Sequence, residues 1–174
     1  SALRFAAEGA KVVLGDKSAA VHETAKMIGD AAIAVEMDAG IEADVAALVA
    51  AALAEGDTTL EGVLFADDTV AMIEGLRALG ISIEVDPDAA VARIRGCAGE
   101  LPGLEARVDA RQSGTTGRFL TPVAALGAAP VVIDGDQQLR DRPMADQLAT
   151  LREMGVTIEE MGAPGRLPLR LTGP

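Results

Sequence analysis

The feature of this sequence that most constrains its fold is a repeat of a helix, a glycine and a strand. Residues 76–84 read LRALGISIE, and residues 151–159 read LREMGVTIE. In each copy a helical pattern ends at a glycine, a common helix stop, and alternating β-branched residues follow. The repeat predicts two copies of one α/β unit, with helices packed on a small sheet. The alternative is chance similarity between two ordinary helix-to-strand junctions, but Leu, Arg and Gly recur in step, which favours a true repeat.

The composition fits helices packed closely on sheets, and it limits the partners. The chain is 49% hydrophobic but only 2% aromatic, so its core must consist mainly of aliphatic side chains. The formal net charge of −12 argues against nucleic acid and anionic membranes as partners, whereas a small anion needs only a local cluster of arginines. Cys97 is the only cysteine, and no membrane-span run or signal peptide is seen, so we expect a cytoplasmic location.

The order of the predicted elements alternates strands and helices. A strand, a helix, a strand and a helix in succession imply parallel pairing with right-handed crossovers. The predicted strands are 11–15, 31–37, 58–64, 81–85, 91–96, 105–109 and 131–134. The predicted helices are 19–28, 41–54, 70–79 and 115–126, and a further helix that begins at Pro143; residues 2–8 are predicted to be the end of a helix.

The segment 112–118, QSGTTGR, precedes an apolar run and predicts a loop that opens a helix. A helix N-terminus presents unpaired N–H groups and the positive end of the dipole, so it suits an anion. Gly114 would let a ligand approach the backbone, Ser113 and Thr115 can cap the helix or donate to an oxyanion, and Arg118 adds a fork of donors. The alternative is that Ser113 is only an N-cap and Arg118 is a solvated surface residue.

Two further arginines, Arg140 and Arg142, flank the start of the next predicted helix. If the repeat folds back on itself, they could converge with Arg118 on one polyanion. His22 is the only histidine and lies on a predicted helix without a second histidine or a cysteine beside it, so no metal site is predicted.

Residues 2–45 resemble part of a short-chain dehydrogenase/reductase, through ALRFAAEGAKVVLGDKS and AIAVEMDAGIEADVAALV. The resemblance implies a Rossmann-like βα fragment in residues 1–46, in which Asp16 would bind the adenosine ribose of NAD and Asp38 would lie beside the adenine. The glycine-rich turn, the catalytic serine and the Tyr-x-x-x-Lys pair of that family are absent. Asp16 and Asp38 are therefore alternatively solvated turn residues.

Residues 47–174 resemble the N-terminal part of the enolpyruvylshikimate-phosphate synthase family. The motifs are ALAEGDTTLEGVLFADDTVAMIEGLRALG, QSGTTGRFLTPVAALG and DGDQQLRDRPMADQLATLREMGVTIE. The resemblance implies transfer of enolpyruvyl from phosphoenolpyruvate to shikimate 3-phosphate, without a metal or an organic cofactor, in a fold of repeated α/β units. By motif match, Gly114 and Arg142 would contact the phosphoenolpyruvate phosphate. The substrate-binding residues implied are Gln112, Ser113, Gly114, Thr115, Arg118 and Arg142.

This sequence departs from the family at several positions. Gln112 stands where asparagine is usual, and Ile41, Glu42 and Ala46 occupy the places of a Lys-Ser pair and an arginine that grip the substrates. An acid at such a place repels an anionic substrate. The family's second domain is missing too, so turnover by this chain alone is not expected. The chain therefore resembles a chimera, dehydrogenase-like in residues 1–46 and synthase-like in residues 47–174.

Three hypotheses follow for the function. The chain is a carboxyvinyltransferase fragment with part of a phosphate site, a nucleotide-binding module, or a recombined chain that folds without activity. Self-association, most simply as a symmetric dimer, is expected because the apolar strands 12–14 and 131–133 would otherwise leave open edges or faces.

Overall fold

The computed structural model describes residues 11–16, 20–28, 32–36 and 42–174. The strands are β1 (Lys11–Asp16), β2 (Ala32–Glu36), β3 (Glu55–Glu61), β4 (Ser82–Asp86), β5 (Val91–Cys97), β6 (Ala106–Asp109), β7 (Val131–Asp134), β8 (Thr157–Glu160) and β9 (Leu169–Thr172). The helices are α1 (Ala20–Ile28), α2 (Glu42–Leu53), α3 (Asp67–Ala78), α4 (Gly114–Ala124), α5 (Gln137–Arg140) and α6 (Ala145–Glu153). The predicted mixed α/β class with small sheets is confirmed.

The chain divides into two compact units. Unit 1 comprises residues 1–69 and 81–99, and unit 2 comprises residues 70–80 and 100–174. The sheet of unit 1 has the strand order β2-β1-β3-β5-β4. Its β1 pairs in parallel with β2 and β3, which confirms the predicted parallel pairing, and β5 pairs antiparallel with β3 and β4. Strands from both sides of residue 46 therefore share one sheet.

Helix α2 packs against β5 in unit 1. The helix is rich in alanine, and Leu48 and Ala52 on it are buried. Gly96 of β5 permits the close approach of the helix end, because a Cβ at this position would overlap the carbonyl oxygens of Ala51 and Ala54. The carbonyl of Ala54 also accepts a hydrogen bond of 2.9 Å from the N–H of Ala98.

The sheet of unit 2 has the order β6-β7-β9-β8. Strands β6 and β7 are parallel and joined through α4, while β9 pairs antiparallel with both β7 and β8. The fully buried side chains of this unit include Leu120, Ile133, Leu148, Leu169 and Leu171. The carboxyl ends of β6 and β7 lead directly into the loops that begin α4 and α5.

The predicted repeat is confirmed, and it extends beyond the two junctions that revealed it. The order β1-β3-β5-β4 in unit 1 and the order β6-β7-β9-β8 in unit 2 have the same pattern of parallel and antiparallel pairs. At the two junctions, Gly80 and Gly155 have φ values of 90° and 92°, between a helix and a strand in each case. Both copies therefore stop the helix by the same left-handed glycine.

Three sequence-based expectations are wrong in detail. Strand β3 begins at Glu55 rather than at residue 58. Pro143 is not the first residue of α6, since Met144 is the N-cap and the helix begins at Ala145. Strands β1 and β7 lie inside their sheets, so residues 12–14 and 131–133 are not open edges. Expectations for residues 1–10 and for Asp38 lie outside the described residues.

Candidate functional site

The N-terminus of α4 has a well-defined cap. Ser113 is the N-cap, with φ −72° and ψ 101°, and its Oγ accepts a hydrogen bond of 3.1 Å from the N–H of Thr116. The carbonyl of Ser113 accepts from the N–H of Gly117 at 3.1 Å. These bonds confirm the capping role that the sequence predicted for Ser113, whose side chain is buried.

Two N–H groups of this helix start remain unused. In the described structure the backbone N–H groups of Gly114 and Thr115 donate to no protein group, as is normal for the first turn of a helix. The first turn of α4 also contains no acidic residue, whereas α3 has Asp67 and Asp68 there. The positive end of the α4 dipole is therefore not neutralised by its own side chains.

Arg142 lies against this helix start. A Cβ added to Gly114 would overlap Nη1 of Arg142, so a side chain at position 114 would require the guanidinium to move from its present place. Arg118 lies four residues after Gly114, on the same face of α4. Helical side chains lean toward the N-terminus, which directs Arg118 toward the same end. The structure thus brings together Gly114 and Arg142 and places Arg118 on the adjoining turn.

The guanidinium groups of Arg118 and Arg142 are unpaired, which sets them apart from the other arginines that the structure describes. Ion pairs form at Arg95, Arg107, Arg111, Arg140, Arg152, Arg166 and Arg170, and Arg77 and Arg93 also have partners. The chain carries an excess of acidic residues, with a formal net charge of −12. Two exposed arginines without a carboxylate partner, beside an uncompensated helix N-terminus, form a local site that favours an anion.

The short helix α5 fixes the backbone that leads to Arg142. Asp136 is its N-cap, and its Oδ1 accepts a hydrogen bond of 3.0 Å from the N–H of Leu139. Leu139 is buried, and its carbonyl accepts a hydrogen bond of 3.0 Å from the N–H of Arg142. The turn after α5 is therefore anchored to the core immediately before the arginine.

Arg140 does not join this anion site, contrary to the expectation from sequence. Its Nε and Nη2 donate to Oδ1 and Oδ2 of Asp134, each at 2.9 Å, in a bidentate pair. Arg107 donates to Oδ2 of the same carboxylate at 2.7 Å, and the N–H of Gly135 donates to Oδ1 at 2.8 Å. Both oxygens of Asp134 are thus occupied, and Arg140 is neutralised by a carboxylate instead of being available to a ligand.

Asp134 is a buried carboxylate that sequence analysis did not identify. Burial by itself raises the pKa of Asp134, but the hydrogen bonds from Arg140 and Gly135 and the charges of Arg140 and Arg107 outweigh it. The net pKa of Asp134 therefore lies below its ordinary value, and the same pairing raises the pKa of Arg140. The only local signal was an aspartate at the end of an apolar strand, because Arg107 is distant in sequence.

A cleft of about 470 Å³ opens beside these residues at the carboxyl ends of β6 and β7. It is lined by Arg107, Asp109, Arg111, Gln112, Asp134, Gly135, Asp136 and Arg140. Arg111 adopts a left-handed conformation with φ 52°, and its carbonyl accepts a hydrogen bond of 2.9 Å from the N–H of Asp136. Gln112 is exposed on the wall of this cleft, next to the cap of α4.

Of the two residues predicted for a nucleotide site, the structure describes only Asp16. Asp16 is the last residue of β1, while Asp38 lies outside the described residues. Within the described ranges, no group of three His, Cys, Asp or Glu residues is arranged to hold a metal ion. No helix in those ranges has both the length and the apolar character that crossing a membrane requires.

Comparisons with known proteins agree on one family. The model of the EPSP synthase (3-phosphoshikimate 1-carboxyvinyltransferase) family matches residues 42–173. A 3-phosphoshikimate 1-carboxyvinyltransferase from a Nostoc species is 37% identical over 127 residues, which cover 73% of this chain and 30% of the relative. The corresponding protein of Mycobacterium ulcerans is 43% identical over 125 residues, which cover 71% of this chain and 28% of that relative.

Solved structures give the same result. The structure of EPSP synthase from Acinetobacter baumannii superimposes with a TM-score of 0.70 and 30% identity, covering 79% of this chain and 31% of that protein. The chain thus spans about 30% of the length of the relatives that it matches. The family match begins at residue 42, and these comparisons give no support to a dehydrogenase-like part or to a chimera.

Proposed function

Because the chain belongs to the EPSP synthase family, we propose that the N-terminus of α4 together with Arg118 and Arg142 binds a phosphate group of phosphoenolpyruvate or shikimate 3-phosphate. The 3-phosphoshikimate 1-carboxyvinyltransferases that it resembles give the substrate class. The observation that carries the proposal is that Arg118 and Arg142 are unpaired and lie beside the N-terminus of α4, whose first turn has no acidic residue.

The available donors suit a phosphate dianion. The N–H groups of Gly114 and Thr115 supply two backbone donors, and the dipole of α4 adds a favourable potential for negative charge. The guanidinium groups of Arg118 and Arg142 supply forked, permanently charged donors, which match the spacing of phosphate oxygens. Ser113 contributes by holding the helix start, since its Oγ is engaged by the N–H of Thr116.

We further propose that residues 1–174 by themselves bind the ligand without turning it over. In the family, a Lys-Ser pair and an arginine stand at positions that hold Ile41, Glu42 and Ala46 here. Enolpyruvyl transfer needs charge stabilisation on more than one side of the reacting groups, in a site closed to water. A chain that spans about 30% of its relatives supplies one part of such a site.

A titration followed by thermal unfolding tests the binding proposal. A ligand that binds only the folded chain raises the unfolding midpoint with concentration, so phosphoenolpyruvate and shikimate 3-phosphate should both be titrated. Arg118→Ala and Arg142→Ala should each lower affinity by about tenfold, because each removes a charge-assisted contact. Arg170→Ala is the matched control. It removes an exposed arginine that is already paired, since Nη2 of Arg170 lies 3.5 Å from Oε1 of Glu105, so ligand affinity should not change. Midpoints unchanged by both ligands would reject the proposal.

A second candidate is NAD binding by the first strands of unit 1. The observation that favours it is the parallel β1-α1-β2 arrangement, with Asp16 at the carboxyl end of β1, where dinucleotides bind in such sheets. NAD should then raise the unfolding midpoint of the wild-type chain but not that of Asp16→Ala. The absence of an effect of NAD on the wild-type chain would dismiss this candidate.

A further inference from the structure

Helix α4 contains a proline whose position leaves one carbonyl without its usual partner. Pro122 lies inside the helix and has no N–H group. In an α-helix the N–H of residue 122 would donate to the carbonyl of residue 118. The carbonyl of Arg118 therefore lacks its usual intrahelical hydrogen bond. The guanidinium of the same residue belongs to the proposed phosphate site.

A side chain from another helix replaces that bond. Nε2 of Gln147 on α6 donates to the carbonyl oxygen of Arg118 at 2.7 Å. The other end of the same amide, Oε1, is buried and has no partner among the described residues. An unpaired buried oxygen is unfavourable, so the contribution of Gln147 resides in its nitrogen.

The hydrogen bond joins the two segments that carry the unpaired arginines. Arg118 is on α4, and Arg142 shortly precedes α6, whose N-cap is Met144. Met144 and Leu148 are buried, which fixes the first turn of α6 in unit 2. The amide of Gln147 therefore connects α4 to the segment that continues directly from Arg142.

We propose that Gln147 is a positioning residue, which holds α4 against α6 so that Arg118 and Arg142 reach one phosphate dianion together. This inference rests on the proposed function of the site. Gln147 acts through Arg118 without touching the ligand. The alternative is a purely structural role, in which Gln147 only satisfies a carbonyl and thereby stabilises the fold.

The two roles separate in a pair of variants. Gln147→Met removes the donor at similar volume, so it should lower both the unfolding midpoint and ligand affinity. Adding Pro122→Ala restores an N–H that can donate to the carbonyl of Arg118, but it does not restore the connection between α4 and α6. If Gln147 positions the arginines, the double variant regains its midpoint and keeps weak affinity.

Affinity should be measured by calorimetry with shikimate 3-phosphate and with inorganic phosphate, on the full chain. We expect Gln147→Met to weaken binding about five- to tenfold, with the double variant remaining within about twofold of that value. Gln138→Met is the matched control, because the same change is made on an exposed glutamine of α5. This control should bind as tightly as the wild-type chain.

Three outcomes would contradict the inference. If the double variant regains both its affinity and its stability, Gln147 has only a structural role. That result would reject the inference and leave the proposed function intact. Wild-type affinity in Gln147→Met would overturn the inference in the same way. A wild-type chain that binds neither probe would remove the proposed function and, with it, the inference.

Discussion

At the scale of single residues, the site depends on the absence of a side chain at position 114. The guanidinium of Arg142 occupies the space that a Cβ of residue 114 would need. Gly114→Ala should therefore displace Arg142 and weaken phosphate binding by about tenfold, the loss expected for one charge-assisted contact. Calorimetric titration with shikimate 3-phosphate measures this, and an unchanged affinity would contradict the geometry.

Asp134 gives a prediction about pH. Its pKa is lowered in the folded chain, so its ionisation contributes stability that is present above the ordinary aspartate pKa of about 3.9 and is lost as pH falls through its folded value. Asp134→Asn should reduce the free energy of unfolding by about 2–3 kcal/mol near pH 7, because two arginines lose their shared carboxylate.

Denaturant titrations of both proteins at pH 7 and pH 3 check this expectation. The stability difference between Asp134→Asn and the wild-type chain should shrink at pH 3, below the ordinary aspartate pKa, because the unfolded wild-type chain there gains a proton that the lowered pKa of folded Asp134 resists. An equal difference at both pH values would show that the charge of Asp134 is not the cause.

Sequence reasoning succeeded at residues whose role is local and missed one that acts across strands. The cap at Ser113 follows from a hydroxyl ahead of a helix. Asp134 receives Arg107 from the neighbouring strand β6 and Arg140 from α5, and only the folded sheet shows that Arg140 is thereby taken out of the anion site. Whether Gln112, Thr115 and the other proposed residues bind substrate remains a prediction.

At the scale of elements, the glycines that end α3 and α6 can be compared directly. Gly155→Ala should cost about 1 kcal/mol, the penalty of a left-handed residue with a Cβ, since its nearest neighbour would be Pro174 at 3.5 Å. Gly80→Ala should cost about 2 kcal/mol, because its Cβ would also approach Cγ of Pro102 to 2.8 Å.

Gly99→Ala provides the control for this comparison. Gly99 has φ 79°, and a Cβ there would meet no atom within 4 Å, so its cost should match that of Gly155→Ala. Equilibrium denaturation gives the three values. Equal losses for Gly80 and Gly99 would show that the contact with Pro102 relaxes freely.

Most element types were predictable, but the short helix α5 and the strand β9 were not predicted, and several boundaries were misplaced. Periodicity and the glycine stops identified the strand-helix alternation, which the parallel pairs of β1 confirm. The start of β3 was misplaced because Glu55, Gly56 and Asp57 are poor strand formers that the pairing with β5 nevertheless extends. Pro143 suits the first turn of a helix, but Met144 takes the cap position and the helix follows it.

At the scale of the whole molecule, large apolar side chains remain exposed. Leu104, Leu126 and Met154 are 58%, 52% and 68% exposed, respectively. We propose that these side chains contribute to self-association at high concentration, because strands β1 and β7, first invoked for it as open edges or faces, lie inside their sheets. The dimer proposed from the sequence remains a prediction.

Light scattering over a range of concentrations measures this. The mass should rise with concentration for the wild-type chain and rise less for a variant with Leu104→Ser, Leu126→Ser and Met154→Ser. A monomeric mass throughout for the wild-type chain would contradict the expectation.

The matching sheets of the two units have a consequence for how such a binding site can arise. The two sheets share one order of four strands. In the chain, β3 is joined to α3 by the short link 62–66, whereas β7 is joined to α6 by residues 135–144, which include α5 and Arg142. After an ancestral duplication, one copy can conserve the scaffold while a connection in the other copy is free to change. The link that carries Arg142 is therefore the part in which the two copies differ, while the strand pairing around it is the same in both.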